Sequence, residues 1–283
     1  MERRAEDPGH CVTFDLGWPL IVELLALGCI AGFLAGLLGV GGGAMLVPFM
    51  TLLMSVKGMP EQHVVKMAIA TSLATICFTS ISSVRAHALR GAVRWDLVRL
   101  LAPGIVLGAL VGTQIAKLLP SNVLALLFAA FIGLSSAQMF AGRRPKPTRQ
   151  LPQGAALFAA GGLIGGLSAL VGAGGAFIAV PFMVACNLPI INAVATSAAL
   201  GFPIALGGTV GYVVAGWSQL DMPPGTLGYV YLPALLTLAT ASVVAAPWGA
   251  RAAHRLPVAQ LKRGFACLLC ALAAYMLYKG LTL

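Results

Sequence analysis

The chain has 283 residues, of which 59% are apolar and 9% charged, against about 25% charged in soluble domains; this excludes a soluble globular protein and indicates a polytopic membrane protein. A formal net charge of +10 would suit a nucleic-acid partner in a soluble protein. Here the basic residues cluster at the ends of apolar runs, where they orient a chain in the bilayer, so nucleic acid is not expected as a partner.

Spanning helices need about 20 apolar residues each. The first residues, MERRAEDPGHC, mix both signs and do not order into a signal peptide, so residues 1–17 are expected to be an N-terminal extension. Apolar runs Trp18–Leu38 and Ala44–Ser55 then flank a break, followed by Val64–Val84, Leu97–Leu119 and Asn122–Phe140. These form a first transmembrane repeat over 18–141. A polar, basic linker occupies 142–153. The second repeat, 154–283, carries Gly154–Val171 and Gly175–Cys186 around another break, then Ile191–Ala215, Gly228–Ala250 and Val258–Lys279. The expected fold is all-α, with about 8–10 membrane segments in two repeats of five helical pieces.

The two breaks are copies of one another. Gly36 to Met50 reads GLLGVGGGAMLVPFM, and Ala169 to Met183 reads ALVGAGGAFIAVPFM. Glycine costs roughly 1 kcal/mol against alanine inside a helix, so neither stretch is expected to be one continuous helix. The copying continues beyond them: Ala-Thr-Ser at 70–72 recurs at 195–197, Pro103 is paired with Pro233, Gly112 and Pro120 with Gly249 and Pro257, and Met139 with Met276.

Charge orients the chain. Arg143, Arg144, Lys146 and Arg149 place the linker in the cytoplasm, together with the loops carrying Arg85, Arg90, Arg94 and Arg99 and carrying Arg251, Arg255, Lys262 and Arg263. Gly216 to Thr226, with Asp221 and no base, is expected outside. Three apolar pieces lie between linker and outside loop, so each break is the tip of a hairpin, either two short crossings or a re-entrant pair. The halves are then inverted, as in many secondary transporters, and both termini lie outside. Lys57, Lys66 and Lys117, with Arg3 and Arg4, fall outside against the trend.

Non-helical backbone survives in the hydrocarbon only when it is buried or lines a watery cavity. In an inverted repeat the tips meet near the midplane, where Gly39, Gly41, Gly42 and Gly43, with Gly172, Gly174 and Gly175, would offer open amides to an anion. The competing reading is close helix packing. Thr71, Ser72, Thr196 and Ser197 add hydroxyl donors at corresponding points of the two halves, although such hydroxyls often bond back to their own helix. Thr75, Thr79, Ser80 and Thr209 are weaker candidates. Glu23 is either a proton-linked or an interfacial carboxylate, Asn187 and Asn192 suit a capping role, and Gln114 either lines a cavity or bonds another helix.

Six cysteines lie mostly in apolar runs and suggest free thiols, with Cys267 and Cys270 on one packed helix face. His10, His63, His87 and His254 stand near helix ends and form no metal cluster. Neither a GxSxG, an HExxH nor a Walker loop is present, so no enzyme, cofactor or ATP-driven pump is expected.

At these residues the chain resembles the TauE/SafE sulfite exporter family, the TSUP permeases. The marks are GFLAGLLGVGGGAMLVPFM at 32–50, its copy at 165–183, the two Ala-Thr-Ser triplets, and the Gly-to-Pro spacing at 112–120 and 249–257; the resemblance spans nearly all of 18–280. It implies an inner-membrane permease for sulfite, thiosulfate or small organosulfonates, exporting by alternating access and driven by an ion gradient. Its partners would be a small anion and the lipid bilayer, and a homo-oligomer is compatible with the sequence. One departure is Ala176 and Phe177, which stand where the first tip has Gly43 and Ala44. The alternatives are a carrier of another solute or a cation, a membrane scaffold or sensor, and an intramembrane enzyme using Cys77 or Cys186.

Overall fold

A computed structural model describes residues 18–38, 42–141, 151–219, 221–252 and 258–283. The elements follow the apolar runs: α1 (Trp18–Leu38), α2 (Gly43–Val56), α3 (Glu61–Ala88), α4 (Trp95–Leu118), α5 (Ser121–Ala141), α6 (Ala155–Val171), α7 (Ala176–Ala185), α8 (Ile190–Gly216), a short β1–β2 hairpin (Thr226–Leu227, Val230–Tyr231), α9 (Leu232–Ala252) and α10 (Val258–Thr282). Seven of the helices, α1, α3, α4, α5, α8, α9 and α10, are long and apolar enough to cross a membrane. The protein is thus an all-α polytopic membrane protein, and large apolar side chains such as Val22, Ile30, Leu107, Val111, Leu163, Leu236 and Val244 face outward, as a lipid solvent requires.

One expected helix is shorter than its apolar run. Residues 226–231 form a two-stranded ribbon, with Thr226 opposite Tyr231 and Leu227 opposite Val230, before α9 begins. Gly228 turns it at φ 56°, and the approach to the Val213 backbone is so close that a side chain there has no room. The ribbon tucks Tyr229, Val230 and Tyr231 into the bundle at 1–2% exposure.

The repeats pack reciprocally. Gly28 and Gly32 of α1 lie against Leu238 and Ser242 of α9, while Gly161 and Gly165 of α6 lie against Leu101 and Ile105 of α4. Gly249 of α9 meets Phe33 of α1 in the way that Gly112 of α4 meets Gly166 of α6. These are small-residue seams of the kind that membrane helices use for close backbone contact. The register makes Leu101 equivalent to Leu238 and Ile105 to Ser242, so the equivalent of Pro103 is Thr240; the expected pairing with Pro233 is not kept, because the two prolines sit at different depths of their helices.

Helix directions follow from the same contacts. α1 runs parallel to α9, and α4 to α6. Equivalent helices cross antiparallel: Leu73 of α3 packs on Gly208 of α8 and Ser80 on Gly201, while in α5 and α10 Ser136 bonds Ala266 and Leu126 packs on Gly280. α2 turns back along α1: Gly42 sits beside Ala31 and Ala35, and Leu20 and Leu24 line one small cavity with Met50 to Lys57. The ten residues of α7 rise only about 15 Å, half the hydrocarbon thickness, so α7 does not complete a crossing.

Candidate functional site

Both glycine breaks are built alike. Gly42 opens α2 at φ 73°, ψ −15°, and Gly175 opens α7 at φ 78°, ψ −13°, a left-handed conformation that favours glycine. Neither helix start receives a side-chain cap. The first paired amides are those of Met45 and Leu46, both to the Gly42 carbonyl, and those of Ile178 and Ala179, both to the Gly175 carbonyl. The amides ahead of them, on Gly43 and Ala44 and on Ala176 and Phe177, have no acceptor within their own helix and carry the positive end of its dipole.

The two breaks touch. The α-carbon of Gly43 lies so near the Gly172 carbonyl oxygen that a methyl group there would overlap it. Gly172, at φ 69°, ends α6 with its amide on the Ser168 carbonyl at 2.8 Å. Ser72 Oγ donates to the same Gly172 carbonyl at 3.5 Å. This carbonyl fills the space beside Gly43, which accounts for Gly43 at the first tip and Ala176 at the second. Gly39 and Gly41 lie outside the described residues.

Open space lies beside the second tip. A cavity of about 10 Å³, room for a single water, is lined by Gly174, Ser197, Ala198 and Gly201 from the second repeat, by Thr79, Ser80 and Ser83 of α3, and by Ala35. The Ser83 and Ser197 hydroxyls are buried without a hydrogen-bond partner, at 4% and 1% exposure. In the repeat register the equivalents of Thr79, Ser80 and Ser83 are Ile204, Ala205 and Gly208 of α8, and Ile204 packs against Gly175.

The threonines of the two triplets have a fixed duty. The Tyr231 amide donates to Thr71 Oγ1 at 3.0 Å, and the Arg94 amide to Thr196 Oγ1 at 3.1 Å. In the repeat register Tyr231 and Arg94 are equivalent, each standing just ahead of the helix that packs on the opposite hairpin. Thr71 and Thr196 therefore pin the entries of α9 and α4, while Ser72 and Ser197 face the tips.

Sequence reasoning missed Ser83 and Ser168. Ser168 is fully buried, with an unpaired hydroxyl, and sits next to Gly175. For Ser83 the only signal was its spacing of four from Thr79 on α3. Among the weaker candidates, Thr75 bonds back to the Thr71 carbonyl at 2.8 Å and Thr209 pairs with the Cys77 thiol at 3.8 Å. Gln114 and Glu23 face outward, away from the tips, which corrects the cavity-lining reading of Gln114. Asn187, at φ 65°, ends α7 in the left-handed conformation, with the Leu188 amide returning to the Met183 carbonyl, as the capping role requires. Asn192 instead donates to the Ala92 carbonyl at 3.0 Å. Cys267 and Cys270 are free and exposed on α10.

The sequence model of the family described as Sulfite exporter TauE/SafE matches residues 24–276. A probable membrane transporter protein of Haemophilus influenzae is 35% identical over 260 residues, covering 92% of this chain and 98% of the relative. A probable membrane transporter protein of Methanocaldococcus jannaschii is 25% identical over 91% of this chain and 96% of its own. The probable membrane transporter protein YunE of Bacillus subtilis is 29% identical over 69% of this chain and 79% of its own. No solved structure matches.

Proposed function

This chain belongs to the sulfite exporter TauE/SafE family of membrane transporters, and from that premise we propose that it is a permease for small sulfur-containing oxyanions. The cargo is sulfite, thiosulfate or an organosulfonate, and an ion gradient drives its export across the inner membrane. The observation that carries this reading is the contact of the two glycine breaks, Gly43 against Gly172, each break leading into an uncapped helix start, with Ser72 beside the contact and Ser197 beside Gly174. Such a place offers hydrogen-bond donors and partial positive charge without a buried formal charge, which suits an anion that must bind and then leave.

Antiparallel crossing of equivalent helices supports an inverted repeat. The gathering of arginines at the end holding Arg85, Arg90, Arg94 and Arg99, with Asp221 at the other, supports a cytoplasmic linker and outside termini. Alternating access then consists of the two hairpins parting first toward one face and then toward the other.

Purified protein in liposomes loaded with sulfite, thiosulfate or taurine tests the proposal. The expected result is saturable efflux of at least one of them, competed by the others and not by chloride. Flux equal to that of protein-free liposomes for all three would overturn it.

A further inference from the structure

The first turns of α3 carry His63 and Lys66, three residues apart and so on one face of the helix. Both are more than nine-tenths buried, at 8% and 7% exposure. Lys66 Nζ donates to the Lys117 carbonyl at 3.0 Å and lies 5.9 Å from the centre of the Tyr229 ring. The His63 ring stands 5.8 Å from the same ring, and its Nδ1 is buried with no hydrogen-bond partner. Tyr229, delivered by the turn of the β1–β2 ribbon and held edge-on to Tyr212, closes over both.

Among the described residues no carboxylate comes within ion-pair distance of Lys66 or His63. Asp221 reaches His63 only through its field. A lysine withdrawn from water without a counter-charge is costly, and one carbonyl with one aromatic face offsets that only in part. The fold does not demand the charge. In the register set by Thr71 and Thr196, the equivalent of Lys66 is Ile191, and the equivalent of Tyr229 is Ala92.

We propose that Lys66 and His63 form an oxyanion station at this mouth of the bundle, with Tyr229 as its cover. The ammonium and the imidazole donate to the oxygens of a sulfo or phospho group, free in solution or carried on a lipid headgroup. The station rests on the permease reading and adds a stop about 9 Å along α3 from Ser72, six residues on. An anion held there leaves its bulk hydration before it reaches the tips.

The test is thermal unfolding in nanodiscs of the wild type, Lys66→Met and Lys66→Arg. One arm uses phosphatidylcholine with added sulfite; the other uses phosphatidylglycerol without it. Sulfite is expected to raise the wild-type unfolding temperature, with a half-saturating concentration about tenfold higher in Lys66→Met and little changed in Lys66→Arg. Without any anion, Lys66→Met is expected to unfold no earlier than the wild type, because it loses an uncompensated charge. A Lys66-dependent gain in phosphatidylglycerol alone upholds the station with a lipid headgroup as occupant.

The proposal falls if Lys66→Met keeps the wild-type response in both arms, or if it loses several degrees in the anion-free phosphatidylcholine arm, the result of a plain cap on α4. Efflux separates the two claims. Transport with an unaltered Lys66→Met response removes only the station, whereas a Lys66-dependent response without transport removes the permease reading.

Discussion

The α-carbon of Gly43 rests on the carbonyl oxygen of Gly172, so that the start of one broken helix is closed by the end of another from the opposite repeat. A methyl group on Gly43 would overlap that oxygen, whereas the equivalent Ala176 already carries one. Gly43→Ala is therefore expected to lower stability by about 1–3 kcal/mol, the cost of overpacking a rigid contact. Ala176→Gly should cost no more than about 1 kcal/mol. Unfolding temperatures in detergent compare the two, and equal effects would contradict the contact.

Thr71 accepts the buried Tyr231 amide and Thr196 the half-buried Arg94 amide. Replacing either by valine removes that acceptor and should cost about 1–3 kcal/mol at Thr71 and less at Thr196, whose donor is half-buried, while serine should restore most of it. Efflux by the valine variants would fall with the amount of folded protein and with no change in half-saturating anion concentration. A shift in that concentration at full folding would show that the threonines touch cargo.

Ser83 and Ser197 give the opposite pattern. Their buried hydroxyls have no hydrogen-bond partner, so Ser83→Ala and Ser197→Ala forfeit no existing hydrogen bond and should leave the unfolding temperature nearly unchanged. If these hydroxyls take up anion oxygens in the open form, the half-saturating concentration for efflux should rise about tenfold for each, the worth of roughly 1.4 kcal/mol.

The paired seams predict paired damage. A side chain at Gly165 meets the Ile105 backbone, and one at the equivalent Gly32 meets that of Ser242. Gly165→Leu and Gly32→Leu should each part a helix pair and abolish recovery of folded protein, as judged by size-exclusion chromatography. Gly91→Leu is expected to be mild by comparison: it stands in open space and bears only backbone strain, at φ 64°.

Most of the fold was legible in the chain because lipid as solvent leaves few choices: an apolar run of spanning length becomes a helix, and Trp18–Leu38 does so residue for residue. The duplicated glycines revealed the two breaks for the same reason, since glycine in an apolar run needs a special cause. The ribbon at 226–231 was not legible, because a short apolar stretch such as Tyr229 to Leu232 reads alike as strand or helix. The division of labour inside Thr-Ser also stayed hidden. Which hydroxyl meets a distant amide and which meets a tip depends on how α3 and α8 are rotated, and adjacent letters carry no information on that.

The seams join α1 to α9 and α4 to α6, so every broken hairpin is strapped to a helix of the other repeat. Under the proposed alternating access the swinging units would be hybrids, each drawing its two parts from different copies of the duplicated segment.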